Sequence, residues 1–420
     1  MEKFACYLVF LFLGFSAFAQ NKLASVEDVK FYKDIEVVLS TTDTIVLKNY
    51  TVHLFGDDYV IEGFNAQLNG AVFGIRYYNN ITSGYISTAD HREFMLFTQN
   101  DKVIVQQDFH QQEDQENNKL FAEKMKVQTS TLGVDSSLFF VDVISPYADN
   151  TAWNALESKP GSKNLIYLDM DGEASLPGWT TSYGDSKLPD FVKKLVWQVQ
   201  ANTFAAFDVN VTTNRTLFDA HPLINKTWCV IGESSEPFGG QSKGLSWGTS
   251  TPCVVDFDIS YLTSKLNSAK NYYSMSLAVP SHELGHNLGL GHDGKSGGGD
   301  YYDGHGEWSP CMGHPLYYSN SSKERRTVAQ WSKGEYAGAT NTYHNDMQMM
   351  AAILGYRADD YVANTNIVLN GNSVNPSQNN GFITNSLDSD AWSFSLSNTG
   401  RVQLNAHPIT NLGPMDFAIK

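Results

Sequence analysis

The run His282-Glu283-Leu284-Gly285-His286-Asn287-Leu288-Gly289-Leu290-Gly291-His292-Asp293 constrains this chain more than any other segment. On a helix, positions four apart share a face, so His282 and His286 can bring imidazole nitrogens to one metal ion at about 2.0–2.1 Å. Glu283 stands beside that face, where a carboxylate can take a proton from a water whose pKa the metal lowers to about 7. Gly289 falls where the helix has to stop and the chain has to swing back, and glycine tolerates the left-handed conformation of such a helix end. His292 then supplies a third nitrogen from outside the helix. Three protein ligands leave a fourth position open, which separates a catalytic zinc from a structural one. At ordinary residue frequencies, these residue types at these offsets arise by chance on the order of once in a million chains of this length. The expected roles are therefore His282, His286 and His292 as Zn²⁺ ligands and Glu283 as general base. Asp293 is expected to fix the helix-end turn behind the ligands, with direct metal contact as the other option.

This run resembles the long zinc signature of the metzincin metalloproteases, in the form found in the adamalysin (reprolysin) branch and its bacterial relatives. The resemblance implies a methionine in a tight turn beneath the metal, downstream of the third histidine. Ser309-Pro310-Cys311-Met312-Gly313 offers it, with Pro310 and Gly313 as turn formers. Met312 would then shape the floor under the ligands without binding zinc. Some metzincins carry a tyrosine two residues after that methionine as an extra ligand; here the position is His314, read as structural or as a wall of the cleft.

The resemblance covers roughly Lys163 to Arg357, the size of one domain. Within it, Asn164 to Asp169 reads as a buried strand, and Pro189 opens a helix in which Phe191, Leu195 and Val199 recur every four residues. Phe207 to Thr213 and Trp228 to Gly232 read as further strands, and Gly244 to Trp247 and Cys253 to Phe257 as an edge strand and its neighbour, in either order. In metzincins the edge strand runs along the cleft and hydrogen-bonds an extended substrate. The zinc helix is expected to begin near Ser276, with Pro280 in its first turn and Leu277, Leu284 and Leu288 facing the core. The glycine-rich stretch between His292 and Met312 reads as a loop, and its Asp300, Asp303, His305 and Glu307, lacking EF-hand spacing, read as solvated. Asn341 to Leu354 reads as a final core helix closed by Gly355.

The chain begins with Lys3, the apolar run Tyr7 to Phe15, and Ala17-Phe18-Ala19, the pattern of a secretory signal peptide with a small-x-small cleavage site. That run is too short to span a membrane, and no other stretch approaches about 20 apolar residues, so a secreted, extracellular chain without a membrane span is expected. If Cys6 leaves with the signal, Cys229, Cys253 and Cys311 remain, enough for one bridge; Cys229 with Cys253 is preferred, and Cys253 with Cys311 is the alternative. The net charge of -16 over 420 residues, without a basic cluster, argues against a nucleic-acid partner; Lys323 to Arg326 is short and mixed.

Ahead of Lys163, Ile35 to Leu39, Thr44 to Leu47, Tyr59 to Ile61 and Val103 to Val105 read as short strands, followed by the loose stretches Gln111 to Asn118 and Ser145 to Ser162. The resemblance implies that this segment is a propeptide and the chain's own inhibitor, since metzincins are usually made as latent zymogens. It holds no cysteine after the signal that could block a metal. Phe55-Gly56-Asp57 is similar to the blocking aspartate of the astacin branch over three residues only, and the default reading of Asp57 is a β-turn aspartate. Beyond Arg357, Asn364 to Asn380 reads as a linker, and Gly381 to Ile383, Leu387 to Phe394 and Arg401 to Leu404 alternate like strands. These resemble the start of the small β-sandwich found after many secreted bacterial peptidases, and about forty residues are too few to complete it.

The fold class expected is α+β, a metzincin catalytic domain with a mixed twisted sheet and an active-site helix, preceded by a β-rich propeptide and followed by the start of a β-sandwich. The expected divisions are a signal peptide over 1–19, a propeptide over 20–162, a zinc peptidase domain over 163–358, a linker over 359–380 and a partial sandwich over 381–420. The expected function is a secreted zinc endopeptidase acting on protein or peptide substrates. The alternatives are a secreted binding protein or adhesin on a metzincin scaffold, and a zinc amidase acting on cell-wall peptides.

Overall fold

A computed structural model of the chain describes residues 17–20, 23–40, 43–65, 71–88, 92–108, 151–188, 190–234, 239–256, 270–297, 299–306, 308–314, 328–342, 344–361, 365–370, 373–374, 379, 381–385 and 387–395. The signal run up to Phe15, the stretch Gln111 to Asn118, Lys323 to Arg326, Arg401 to Leu404, and Pro189, Phe257, Gly298 and Glu307 lie outside the described residues. The chain divides into two compact units, Met1–Phe109 and His110–Lys420.

The first unit is a meander of antiparallel strands. In chain order these are β1 (Ala17–Gln20), β2 (Ile35–Ser40), β3 (Asp43–Leu47), β4 (Thr51–Phe55), β5 (Asp58–Asn65), β6 (Ala71–Tyr78), β7 (Ile81–Ser87), β8 (Glu93–Gln99) and β9 (Lys102–Asp108), with helix α1 (Val26–Lys30) between the first two. Seven of them form one sheet in the order β1-β9-β8-β7-β6-β5-β4, and β2 pairs with β3. Two hairpins turn on residue pairs that both have positive φ, Asn79 (50°) with Asn80 (64°) and Asn100 (51°) with Asp101 (60°). That conformation matches the right-handed twist of the flanking strands and suits asparagine and aspartate. Asp57 lies in the two-residue loop that joins β4 to β5, after Gly56 at φ 72°. The expected cleavage site at Ala17 to Ala19 lies in β1, paired with β9. Val37, Tyr59, Ile61, Ile75, Ile86, Leu96 and Val105 are fully buried in the core of this unit, and each such side chain contributes about 1.5–3 kcal/mol by leaving water.

The second unit is built on a mixed sheet. Its strands are β10 (Asn164–Asp169), β11 (Gly184–Asp185), β12 (Val209–Thr212), β13 (Lys226–Glu233), β14 (Gly240–Gln241) and β15 (Cys253–Asp256), in the order β12-β10-β13-β15-β14, with β11 beside β13. β12, β10, β13 and β15 run parallel, whereas β14 is antiparallel to β15 at the edge. Parallel strands covered on both faces carry near-continuous apolar runs, and every residue of β10, β12 and β15 is buried. On one face, helices α2 (Asp190–Thr203) and α4 (Lys270–Asn287) bury Leu195, Val196, Leu284 and Leu288 against Ile166, Leu168, Ile231 and Val255. On the other, α3 (Arg215–Ala220) brings Phe218 to Tyr167, Trp228, Val230 and Val254.

Four local expectations change. The zinc helix begins at Lys270, ahead of Ser276, so Pro280 stands in its interior. There it forgoes one intrahelical hydrogen bond, and the tyrosine-containing stretch before Ser276 has no apolar period to announce a helix. The edge strand is Gly240–Gln241, and Gly244 to Trp247 forms no strand; two residues are too short to display an alternation of period two. The last helix, α5, spans Asp346–Leu354, because Asn345 caps it by accepting the Gln348 N–H, and Gly355 at φ 73° closes it. Cys229 and Cys253 face each other in register on β13 and β15, yet Cys229, Cys253 and Cys311 are free and buried. Burial, and then the neighbouring Cys229 thiol, push Cys253 well above the usual thiol range.

After α5, short strands at Thr365–Asn366 and Trp392–Ser393 pair in parallel, and Leu369–Asn370 pairs antiparallel with Ser373–Val374. The expected linker thus carries pairing of its own, whereas Gly381 to Ile383 forms no strand.

Candidate metal centre

The helix that carries His282, Glu283 and His286 ends in a Schellman arrangement. Leu290 N–H donates to the Gly285 carbonyl at 3.0 Å and Gly289 N–H to the His286 carbonyl at 2.8 Å, with Gly289 at φ 87°. This geometry satisfies carbonyls that a helix end otherwise leaves open and reverses the chain so that His292 returns to the helix. His282 Nε2 and His292 Nε2 each lie 3.1 Å from His286 Nε2. Tetrahedral zinc with bonds of about 2.0–2.1 Å holds its nitrogens roughly 3.3 Å apart, so the spacing fits one ion.

The protonation pattern points the same way. His282 Nδ1 is 2.9 Å from the Cys311 carbonyl oxygen, and His286 Nδ1 is 2.7 Å from the Leu290 carbonyl oxygen. A carbonyl oxygen can only accept, so both Nδ1 atoms carry a proton, and in a neutral ring the lone pair is then on Nε2, the atom turned toward the other ring. Two lone pairs meeting in a buried site repel unless a cation lies between them. The backbone carbonyls thus fix the tautomer that a metal requires. His282 and His286 are buried, and His292 is partly exposed, so the centre opens on the His292 side.

Glu283 is 2 % exposed. It lies against the edge strand: a Cβ placed on Gly240 would come within 2.6 Å of Glu283 Cδ. Glycine at that position is therefore what lets β14 and the carboxylate approach. A second close approach lies beneath the ligands, where a Cβ on Gly285 would overlap Met312 Sδ. Met312 is fully buried in the turn after β16 (Trp308–Pro310), which pairs with β17 (Val328–Gln330). Gly285 costs about 1 kcal/mol relative to alanine in a helix interior, and the room it leaves is taken by the methionine.

Asp293 points away from solvent and into the turn. Its Oδ1 accepts from Asn341 Nδ2 at 2.6 Å, its N–H donates to the Met312 carbonyl at 2.7 Å, and its carbonyl accepts from Tyr302 N–H at 2.7 Å. Burial pushes its carboxyl up to about 6. Asn341 Nδ2 also donates to the His292 carbonyl at 3.1 Å, which pins the third histidine from behind. Among the described residues, the three histidines form a group able to hold a metal, and Asp293 is not part of it.

Several contributors escape a reading of the sequence. Asn287, fully buried, accepts from Ser242 Oγ at 2.7 Å and donates to Thr227 Oγ1 at 2.9 Å, which ties the end of α4 to β13 and to the segment after β14. An asparagine between apolar helix positions is a visible signal for such a role. Tyr301, from the glycine-rich loop, packs against His292 with ring centroids 4.2 Å apart and the planes tilted by 36°. Asp300, Asp303 and His305 of this loop are exposed, as the solvated reading expects, while Tyr302 stacks on Tyr336 at 4.4 Å and meets His305 Nδ1 through its hydroxyl at 2.9 Å. Asp303 Oδ1 lies 3.2 Å from His314 Nδ1.

Neither protein-family models nor curated proteins return a match to this chain.

Proposed function

We propose that this chain is a secreted zinc-dependent endopeptidase of the metzincin type, made as a latent zymogen in which residues 20–162 restrain the catalytic unit. The observation that carries the reading is the meeting of three Nε2 atoms, those of His282 and His292 each 3.1 Å from that of His286, with Nδ1 of two of the rings held by backbone carbonyls. A buried carboxylate, Glu283, adjoins them on the same helix.

His282, His286 and His292 would hold the zinc ion. When bound, the ion supplies Lewis acidity that polarises the scissile carbonyl and makes water a nucleophile near neutral pH. Glu283 takes the proton of the attacking water and returns it to the leaving amine, the double duty of a general base that becomes a general acid. The antiparallel strand β14 lies against Glu283 at Gly240, so an extended peptide running along this side of the sheet would pass beside the carboxylate. Met312 and Asn341 hold the ligands from below and behind.

The test is zinc content together with mass-spectrometric mapping of cuts in a proteome-derived peptide mixture. Wild-type protein is expected to carry zinc and to cut; chelation abolishes the cuts. Glu283→Gln keeps the metal and loses about a hundred- to ten-thousandfold in kcat. Cuts that persist after chelation, or undiminished in Glu283→Gln, defeat the reading. Cell-wall fragments processed while unfolded protein stays intact would favour the amidase alternative, and partner retention untouched by Glu283→Gln with no turnover would favour the adhesin.

A further inference from the structure

The expected position for an extra tyrosine, two residues past Met312, holds His314, yet the fold delivers a tyrosine to the centre by another route. Tyr301 comes from the loop before the methionine turn. Its ring centroid lies 4.2 Å from that of His292 and 6.0 Å from that of His282, nearly parallel to the latter at 14°. The ring is thus set against two of the three histidines whose Nε2 atoms converge. It also lies on the open side, since His292 is the partly exposed ligand and Tyr301 is itself partly exposed.

The ring is held. Tyr302, the next residue, donates its N–H to the Asp293 carbonyl at 2.7 Å, and its carbonyl accepts the His314 N–H at 2.9 Å. The two arms of the loop are thereby stitched together beside the ligands. The His314 ring then meets Tyr301 edge-on, with centroids 6.3 Å apart at 76°. Asp303 Oδ1, 3.2 Å from His314 Nδ1, fixes the orientation of that imidazole. Aromatic rings favour such edge-to-face contacts, so His314 supports the Tyr301 ring.

We propose that Tyr301 is a catalytic residue: its phenol donates a hydrogen bond to the scissile carbonyl oxygen as that oxygen gains charge, and His314, steadied by Asp303, positions it. The inference rests on the endopeptidase reading. As water adds to the carbonyl carbon, a C–O bond forms and the carbonyl π pair moves onto its oxygen. Glu283 receives the water proton, and the Tyr301 O–H meets the new charge without being transferred. A donor aimed at charge that exists only in the transition state raises kcat more than it lowers KM. A neutral phenol suits the task at neutral pH, because it requires no ionisation to donate.

The experiment uses the full chain in its zinc-loaded, activated form and compares wild type with Tyr301→Phe, His314→Ala, the double variant and Glu283→Gln. Two quantities are read: steady-state constants on a cleavable peptide, and the calorimetric Kd of a phosphinic peptide, whose tetrahedral oxygen imitates the charged state, beside that of a planar product peptide. Tyr301→Phe is expected to lose about a hundredfold in kcat with KM within twofold and zinc content unchanged. Its affinity for the phosphinic peptide is expected to fall by a comparable factor while product binding holds. His314→Ala is expected to lose about tenfold, and to add nothing in the Tyr301→Phe background, because its effect passes through the phenol. Wild-type kcat and unchanged phosphinic affinity in Tyr301→Phe, with Glu283→Gln inactive, overturn the role of Tyr301 and leave the endopeptidase reading standing. A zinc-loaded wild type that cuts nothing removes both.

Discussion

The two units bury different kinds of side chain, and the difference marks where the proposed chemistry would lie. Among the described residues of the first unit, the buried polar or charged positions are Arg76, Thr82, Ser83 and Glu93, around a core of Val, Ile, Leu, Phe and Tyr. The second unit buries Asp169, Glu283, Asp293 and Asp346 outright, together with His282, His286 and Asn287. Burying such groups is unfavourable unless each finds a partner. With His282, Glu283, His286, Asn287 and Asp293 around one helix end, the fold is giving up stability for a fixed arrangement of donors and acceptors. The first unit is organised for its own core. The second is organised around a site.

Metal removal should separate the units most strongly. A ligand bound to the native state at a thousand times its Kd stabilises by about 4 kcal/mol, so chelation is expected to lower the stability of the histidine-bearing unit by at least that order. All 8 tryptophans of the chain lie beyond Phe109, so tryptophan fluorescence follows that unit alone. The strands of the first unit, followed by hydrogen exchange of their amides, should keep their protection. An unchanged fluorescence transition after complete chelation would mean that the three histidines are not holding a structurally linked metal.

A smaller separation should come from pH. Asp169, at the end of β10, is fully buried, and burial followed by the neighbouring Asp171 pushes its carboxyl up to about 7. Arg215 Nη1 stands 3.6 Å from Asp169 Oδ2 but bonds more closely to Glu173, so it does not offset the burial. A carboxyl raised in the folded state binds its proton there while the unfolded chain, titrating near 3.8, has released it. The stability from this group is therefore present in acid and is lost as pH rises toward and through about 7, an effect on the order of a few kcal/mol. Asp169→Asn keeps the shape without the charge and should reduce the slope of fluorescence-detected stability between pH 5 and pH 8, leaving the part that Asp293 contributes. A slope as steep in the variant as in the wild type would remove Asp169 as its source.

The two units also differ in how much of them can be read from residues alone. The convergence of the three histidines was legible because metal coordination dictates residue type at fixed offsets within a helix turn and its cap. The mixed sheet was legible in outline, since β10, β13 and β15 are continuous apolar runs. What was hidden depends on loop conformation or on close approach. Tyr301 and the Asp303–His314 pair meet only because the loop folds on its own aromatic residues. β14 is too short for any periodicity. In the first unit, β6 and β7 escape notice because Gly74, Arg76, Ser83 and Gly84 interrupt the alternation, although Asn79-Asn80 announces the hairpin between them.

Glycines sharpen the contrast at the smallest scale. In the first unit, a Cβ on Gly84 would meet Ile75 Cα at 2.8 Å, a contact with backbone that can yield only by moving a strand. Near the site, a Cβ on Gly240 would meet the Glu283 side chain, and one on Gly285 the flexible end of Met312. Overpacking of this kind costs about 1–3 kcal/mol, and who gives way decides what is lost. Gly84→Ala should therefore lose stability, seen as faster amide exchange in β6 and β7, with peptide cleavage unaltered. Gly285→Ala should lose less stability, since the Met312 side chain can shift and the new residue is the better helix former. Gly240→Ala should move Glu283 instead of the strand, lowering kcat several-fold at unchanged zinc content and nearly unchanged fluorescence transition. Equal behaviour of Gly84→Ala and Gly240→Ala in both stability and turnover would remove the distinction between a glycine kept for a fold and one kept for a reaction.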